Sequence, residues 1–483
     1  MTRLGLVVVV FCVTLQAHAQ QVMIVQTDSD LRAPMETKAS VVFSKKNATS
    51  SLNIKVSSAQ KYQTIDGFGA SLTDSSAWLL YTQLTPDQRN EIVHALFDPK
   101  RGIGVSFLRQ PMGASDLALN DYSYDDVPAG QSDPDLKHFS AERDNAYILP
   151  LLREAIAINP EMKVIASPWS PPGWMKTTDA MIGGSLKESA YAQLAQYFVK
   201  FIQAYEAAGV PIYGITMQNE PLYMPDNYPG MNFSAVAEQK FVRDNLGPAL
   251  AKANLHPKVM LYDHNWDKPE YPNAILSDPA ATKYVDGVAW HCYGGDVSAQ
   301  SAVHDKFPSK DVWETECSGG TWQKGDVLAE GARLLIEATR NWAKSVVLWN
   351  MALDQNNGPH TGGCDTCRGV VTVDTSKTAR VTKNADFYVL GHAGKFVRPG
   401  AVRIDSKSYG TTSIEDVAFQ NIDGSIVLVV LNNAASPQTF TVSDARASFT
   451  YTLPAGSLAT FTWNSAPQSS KKSPNLMSGR RPN

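Results

Sequence analysis

The stretch Gly214-Ile215-Thr216-Met217-Gln218-Asn219-Glu220-Pro221 is a short, mostly apolar run that ends in an amide, a carboxylate and a proline. Such a run reads as a buried strand, and Pro221 stops its ladder, which leaves Glu220 at the C-terminal tip. A carboxyl at that place suits a general acid that protonates a leaving oxygen, with Asn219 beside it to hold a hydroxyl. Taken alone, the motif is equally a Glu-Pro turn that starts a helix. Further along, Asp311-Val312-Trp313-Glu314-Thr315-Glu316-Cys317 forms another short strand, closed by Ser318-Gly319-Gly320. Retaining cleavage of a glycosidic bond takes two carboxyl groups about 5 Å apart, one as acid/base and one as nucleophile. Side chains alternate along a strand, so Glu314 and Glu316 share a face. Glu316 is nearer the glycine-rich loop and is the candidate nucleophile; Glu314 reads as a deeper, buried carboxylate paired with an arginine.

The elements that must position this pair alternate between strand and helix patterns from residue 62 to 396. The predicted strands are Thr64–Phe68, Val105–Gln110, Lys163–Ser167, Ile212–Met217, Lys258–Tyr262, Gly287–His291, Val312–Glu316 and Val346–Asn350. The clearest helix pattern runs from Ser185 to Ala208, with Leu186, Tyr191, Leu194, Phe198, Phe201 and Ile202 on one face and Gly209 as the stop. Eight such units predict an α/β fold, a (β/α)8 TIM barrel over 62–396, whose active site lies at the C-terminal strand ends. The flanks, 22–61 and 397–464, carry the alternation and turn signals of strands and predict one β-sandwich domain built from both chain ends.

Composition bounds the partners. An apolar fraction of 43% with ten Trp is enough for a large soluble enzyme core. Residues 1–19 have the pattern of a secretory signal peptide: Arg3, an apolar run from Leu4 to Val13, and Ala17-His18-Ala19 as a cleavage site. That run is too short to span a bilayer, so the expectation is an exported (secreted or periplasmic) protein with no membrane span. The net charge is −4, and Arg3, Lys471, Lys472, Arg480 and Arg481 sit in the two termini, so the body is more acidic still. Nucleic acid is therefore not an expected partner. The Ser-, Pro- and Lys-rich tail, 465–483, reads as disordered. Of five cysteines, Cys12 lies in the signal segment. Cys364 and Cys367, in a glycine-rich loop, are candidates for a local disulfide. Cys292 and Cys317 sit at two strand ends, a poor spacing for metal, and read as small buried residues.

Polar and aromatic groups gather at the predicted strand ends: Arg109, Asp116, the Ser167-Pro168-Trp169-Ser170-Pro171-Pro172-Gly173-Trp174 run, Asn219, Glu220, His291-Cys292-Tyr293, Glu316, Trp349 and Asn350. Trp faces ringed by carboxylates and amides suit sugars, which present apolar CH faces and a rim of hydroxyls. With Asp66-Gly67-Phe68-Gly69-Ala70-Ser71-Leu72-Thr73-Asp74, Leu108-Arg109-Gln110-Pro111-Met112, Thr315-Glu316-Cys317, Leu348-Trp349-Asn350-Met351-Ala352-Leu353 and Gly391-His392, these motifs give the chain a close resemblance to glycoside hydrolase family 30, the glucosylceramidase (acid β-glucosidase) family. The resemblance covers residues 62–465.

It implies a barrel with a side β-sandwich and a retaining double displacement that uses no metal and no organic cofactor. It also implies Glu220 as acid/base and Glu316 as nucleophile. Asp116, Trp169, Asn219 and Trp349 correspond to sugar-gripping positions, Arg109 and Tyr293 to positions that orient the nucleophile, and His291 to the pocket lining; Tyr293 counts among the substrate-binding residues as well. One departure stands out. After Gly358-Pro359 this chain reads His360-Thr361-Gly362-Gly363-Cys364-Asp365, where the glucosylceramidases carry a further sugar contact. The expected activity is hydrolysis of β-glucosidic bonds in a carbohydrate or glycolipid, glucosylceramidase-like. The alternatives are an endo-β-1,6-glucanase with the same pair, or a carbohydrate-binding protein without catalysis. Glu220, as the acid, is expected to have its pKa raised by the Glu316 charge.

Overall fold

The computed structural model describes residues 20–44, 50–323, 325–376, 380–444 and 447–464. The signal segment and the basic tail read from the sequence lie outside these residues. Eight parallel strands close into a barrel: β1 (Gly67–Ser71), β2 (Phe107–Pro111), β3 (Lys163–Ser167), β4 (Ile212–Thr216), β5 (Lys258–Asn265), β6 (Gly287–His291), β7 (Asp311–Cys317) and β8 (Ala343–Leu348). Each pairs with its neighbour in sequence, and β8 pairs with β1. The strands are short apolar runs because both of their faces are covered, one by the barrel interior and one by helices. Phe107, Ile165, Met260, Ala289, Trp313 and Val347 fill the interior. Beneath them Trp313 Nε1 (2.8 Å) and the Tyr213 hydroxyl (2.9 Å) donate to Asp66, which also pairs with Lys163. The barrel is thus a packed core with one open end for chemistry.

Several boundaries differ from the sequence reading, two of them with a clear cause. The first barrel strand begins at Gly67, and Thr64 belongs to a sandwich strand, Ser57–Thr64. Gly69, Ala70 and Ser71 have low strand propensity but are small, and the barrel needs that: a Cβ on Gly69 would stand 1.9 Å from the Phe107 carbonyl oxygen. The long helix, α1, spans Tyr191–Ala207, not 185–208. The segment before it bridges back through Lys176 and Leu186, and Thr177 N–H donates to the Ser185 carbonyl.

The chain ends join in a seven-stranded antiparallel sheet. Its order is Glu36–Val42, Gln21–Thr27, Leu458–Asn464, Ser425–Asn432, Ile414–Gln420, Val402–Asp405, Ser57–Thr64. A second sheet of Ser448–Leu453, Gln438–Ser443 and Asn53–Lys55 lies on it around a separate core that includes Phe440, Phe449, Phe461 and Trp463. Helices α2 (Val327–Arg340) and α3 (Ala385–Gly394) bind this unit to the barrel. Arg340 Nη1 donates to the Asp416 carbonyl at 2.9 Å. His392, fully buried, sits between Thr27 Oγ1 (2.8 Å) and Thr460 Oγ1 (2.9 Å), and burial pushes its pKa down to about 3, so it stays neutral there.

The close approach at Gly69 gives a stability test. Gly69→Ala forces β1 away from β2 and should cost about 3 kcal/mol, read as a shift in the urea unfolding midpoint. A change below about 1 kcal/mol would show that the two strands separate easily.

Candidate active site

At the C-terminal end of the barrel the side chains converge on Arg109, which is completely buried on β2. Its Nη1 donates to Glu316 Oε2 at 2.6 Å. Its Nη2 donates to Asn219 Oδ1 and to Asp263 Oδ2, both at 2.7 Å. The guanidinium also lies 4.7 Å from the ring centroid of Trp169, which stacks on Trp349 at 5.0 Å. A buried cation is costly unless its donors are used, and here carboxylates, an amide and an aromatic face surround it.

Glu316, near the end of β7, receives a second bond from the Tyr293 hydroxyl at 2.9 Å to Oε1. Glu220 follows β4 and has φ +46°, a left-handed conformation that a non-glycine residue adopts only at a cost of about 1–3 kcal/mol. His291, the last residue of β6, lies between the acids: Nδ1 is 3.2 Å from Glu220 Oε1, and Nε2 is 3.1 Å from Asp263 Oδ1. Ligand-type atoms of Glu220, His291 and Glu316 fall within 4.8 Å of one another. That is near enough to share a metal ion. However, both nitrogens of His291 already face carboxylates, and the Arg109 cation occupies Glu316, so the set is better suited to holding a proton.

The electrostatics correct one expectation. Burial would raise Glu220, but the hydrogen bond and charge of His291 outweigh it, and Glu220 is held below the ordinary glutamate range. Burial would lower His291, yet the charge of Glu316 and the hydrogen bonds to Asp263 and Glu220 bring it up to about 10. Burial keeps Glu316 above the usual range, the Glu220 charge adding to this while His291 and Arg109 oppose it. In the ligand-free site the proton of the Glu220–His291 pair therefore rests on the histidine side of the hydrogen bond.

The remaining predicted residues line the cavity of about 420 Å³ above this centre, which includes Asp116, Trp349, Cys364 and Cys367. Asp116 is pushed up to about 7 by burial and by the Glu316 charge, although the backbone N–H groups of Cys364 and Leu117 donate to it. The departing loop is thus part of the site: it closes through a Cys364–Cys367 disulfide and presents its backbone to Asp116. Cys292 and Cys317 are not separate small residues, as the sequence reading had them, but a second disulfide. Among the described residues no arginine pairs with the buried Glu314; Trp266 Nε1 (3.1 Å) and Gln300 Nε2 (2.6 Å) donate to it, and burial raises its pKa well above the ordinary range.

Sequence reasoning missed Asp263. It accepts from Arg109, Ser167 Oγ (2.6 Å), Thr216 Oγ1 (2.7 Å) and Thr315 Oγ1 (2.7 Å) as well as facing His291. Burial would raise it, but Arg109 and these donors hold it well below the carboxylate range. The signal was the polar run Asp263-His264-Asn265 after an apolar strand, which had been read as ending at Tyr262. Tyr228 and Trp322, also lining the cavity, were missed as loop residues without a motif.

A model of the glycosyl hydrolase family 30 TIM-barrel domain matches residues 65–397, and one of the family 30 β-sandwich domain matches 400–461. The chain is 36% identical to an endo-1,6-β-D-glucanase of Neurospora crassa, over 83% of this chain and 85% of that one. It is 32% identical to the lysosomal acid glucosylceramidase of Mus musculus, over 84% and 82%. Among solved structures, an endo-β-1,6-glucanase superposes with a TM-score of 0.85 at 35% identity, covering 92% of this chain and all of the other.

The His291–Glu220 hydrogen bond sets a pH dependence. With His291 in place, the proton of the pair is held up to alkaline pH. His291→Gln removes that store and leaves Glu220 with His264, 4.0 Å away, and Arg109 as its nearby cationic groups, so the alkaline limb of kcat/KM for glycoside hydrolysis should move to lower pH. An unmoved limb would show that the proton is not shared between these two groups.

Proposed function

The chain belongs to glycosyl hydrolase family 30, and on that premise we propose that it is an exported, retaining endo-β-1,6-glucanase. The observation that carries the reading is exposed aromatic surface on the wall of the catalytic cavity, beyond the carboxylates. A second cavity of about 580 Å³ adjoins the catalytic one, and the two share Tyr293, Ser318 and Trp322 in their linings. Tyr293 and Trp322 are 43% and 46% exposed there, leaving aromatic surface for sugar rings beyond the one being cleaved. A polymer threaded past the carboxylates needs such room, whereas an enzyme that removes one terminal glucose does not. The similarity to glucanases of that specificity supports the same choice over the glucosylceramidase reading. Export is supported by the residue pattern of 1–19 and by two disulfides, which persist in oxidising compartments.

In the proposed mechanism a Glu316 oxygen attacks the anomeric carbon, and the C–O bond to the leaving sugar breaks. Arg109 and Tyr293 keep Glu316 aimed, and its burial leaves the anion poorly stabilised and so more nucleophilic. As Glu316 becomes an ester its charge disappears, and with it the largest support for the His291 cation. The proton then passes from His291 Nδ1 through Glu220 to the leaving oxygen. In the second half, Glu220 takes a proton from water, the hydroxide oxygen bonds to the anomeric carbon, and Glu316 leaves with its charge restored. Carboxyl atoms within 4.8 Å fit this retaining geometry, since inversion requires about 6.5–9.5 Å.

One feature favours a second reading. Leu222, Tyr223 and Met224 are 40%, 51% and 55% exposed, and Tyr223 lines the catalytic cavity, so an apolar surface for a lipid aglycone stands at its rim. A panel of β-1,6-glucan, glucosylceramide and an aryl β-glucoside separates the two. The expected result is release of oligosaccharides from the glucan, with turnover lowered roughly a thousandfold or more in Glu316→Gln. Cleavage of glucosylceramide with none of the glucan would overturn the glucanase assignment; near-normal turnover in Glu316→Gln would overturn the nucleophile.

A further inference from the structure

The backbone ladder that should hold the nucleophile is interrupted beside Glu316. On one side, β6 pairs Trp290 with Glu314 and then His291 with Glu316, so Thr315 is an extra residue in β7. On the other side, the pairing with β8 runs from Glu314↔Val346 to Cys317↔Leu348, with irregularities on both sides of Glu314. A bulge of this kind re-aims side chains, and it also removes regular cross-strand bonds at that point. The next residues along both strands are Cys292 and Cys317, and they are joined by a disulfide with a Cα–Cα distance of 5.3 Å. Cys292 directly follows His291, and Cys317 directly follows Glu316. Beyond the bond, Tyr293 reaches back to Glu316 Oε1. The covalent link therefore connects the backbones of the histidine, the tyrosine and the nucleophile one residue beyond the single pair, His291 with Glu316, that follows the bulge in β7.

We propose that the Cys292–Cys317 disulfide is a positioning element for the nucleophile: it fixes Glu316 against His291 and Tyr293 across the bulge. The proposal rests on the reading of Glu316 as nucleophile. Neither sulfur touches the reacting atoms. The bond acts through the distance between the strand tips, on which the aim of the Glu316 carboxylate and the Tyr293 hydroxyl depends. Displacement of a reacting group by about 1 Å can cost up to a hundredfold in rate. The two cysteines line the 580 Å³ cavity behind Tyr293, so the bond can be reached by a small reductant.

The test is the Cys292→Ala/Cys317→Ala double variant on β-1,6-glucan, assayed well below its unfolding temperature. The expected outcome is a fall in kcat of roughly 10- to 100-fold with KM little changed, and an equally slowed covalent labelling of Glu316 by a 2-fluoroglycoside inactivator. A variant with a lower Tm but full kcat and full labelling rate would reduce the bond to a structural staple and overturn the proposal. If the double variant does not fold, the same readings are taken on a Cys364→Ala/Cys367→Ala protein, before and after phosphine reduction of its remaining disulfide, with circular dichroism to show that the fold persists. Activity that drops on reduction and returns on reoxidation supports the proposal; a folded, reduced protein with unchanged kcat overturns it. Full activity in Glu316→Gln would instead remove the nucleophile assignment itself, so the two failures are distinguishable.

Discussion

Everything at the mouth of the barrel depends on a guanidinium that has no access to water. Removing Arg109 from solvent costs several kcal/mol unless its charge and donors are compensated. Ser167 on β3, Asn219 after β4, Asp263 on β5 and Glu316 on β7 compensate it directly, and Thr216 on β4, His291 on β6 and Thr315 on β7 bond to Asp263 in turn, so the network with Arg109 on β2 spans six consecutive strands. Asp263 is the complementary hub, because it accepts from most of the groups that do not reach Arg109. Arg109 and Asp263 together form one buried ion pair at 2.7 Å with the catalytic groups arranged around it. Loss of either charge would leave the other with one charged partner in place of two, Arg109 with Glu316 alone or Asp263 with His291 alone.

That arrangement also explains how two carboxylates remain close together. Like charges at this separation repel, and in many sites one simply takes up a proton. Here the proton is held one atom further away, on an imidazole supported by Asp263 and by Glu316 itself. The proton affinity of His291 thus depends on the charge of the nucleophile. In the proposed mechanism, consumption of that charge releases the proton toward Glu220, and its return recovers the proton. On that proposal the acid and base steps need no separate timing device, since the substrate's own bond changes alter the field that holds the proton.

Much of this was legible in the sequence. The eight barrel strands follow in the order read from the chain, because strands buried on both faces are continuous apolar runs and stand out as such. Glu220, Glu316, Arg109, His291 and Tyr293 were visible because each ends or follows one of those runs. What stayed hidden has a common physical cause. Asp263 lies in β5 with φ +56°, beside Tyr262 at +76°, and the pairing with β6 passes from Tyr262 directly to His264. It is the extra residue of a bulge, and its side chain points into the barrel against the alternation that a regular strand would impose. The disulfide between Cys292 and Cys317 was hidden for the same reason: spacing along the chain does not reveal that two strand tips diverge in register yet stay close in space.

The bulges are not independent. Thr315, the extra residue of β7, donates to Asp263, the extra residue of β5, at 2.7 Å, and the two meet on either side of β6 where His291 ends. Regular alternation would send one of the two out of the barrel and leave His291 Nε2 without its carboxylate. Both departures from strand geometry are therefore required by one need, to bring an acid and its donors to the inner face at the same level as Arg109. The left-handed conformation of Glu220 at the neighbouring tip belongs to the same set. Distortion of this kind costs stability locally and persists only where packing and hydrogen bonding over-determine it. The buried ion pair supplies that over-determination, so the irregular backbone and the buried charge are two expressions of a single constraint.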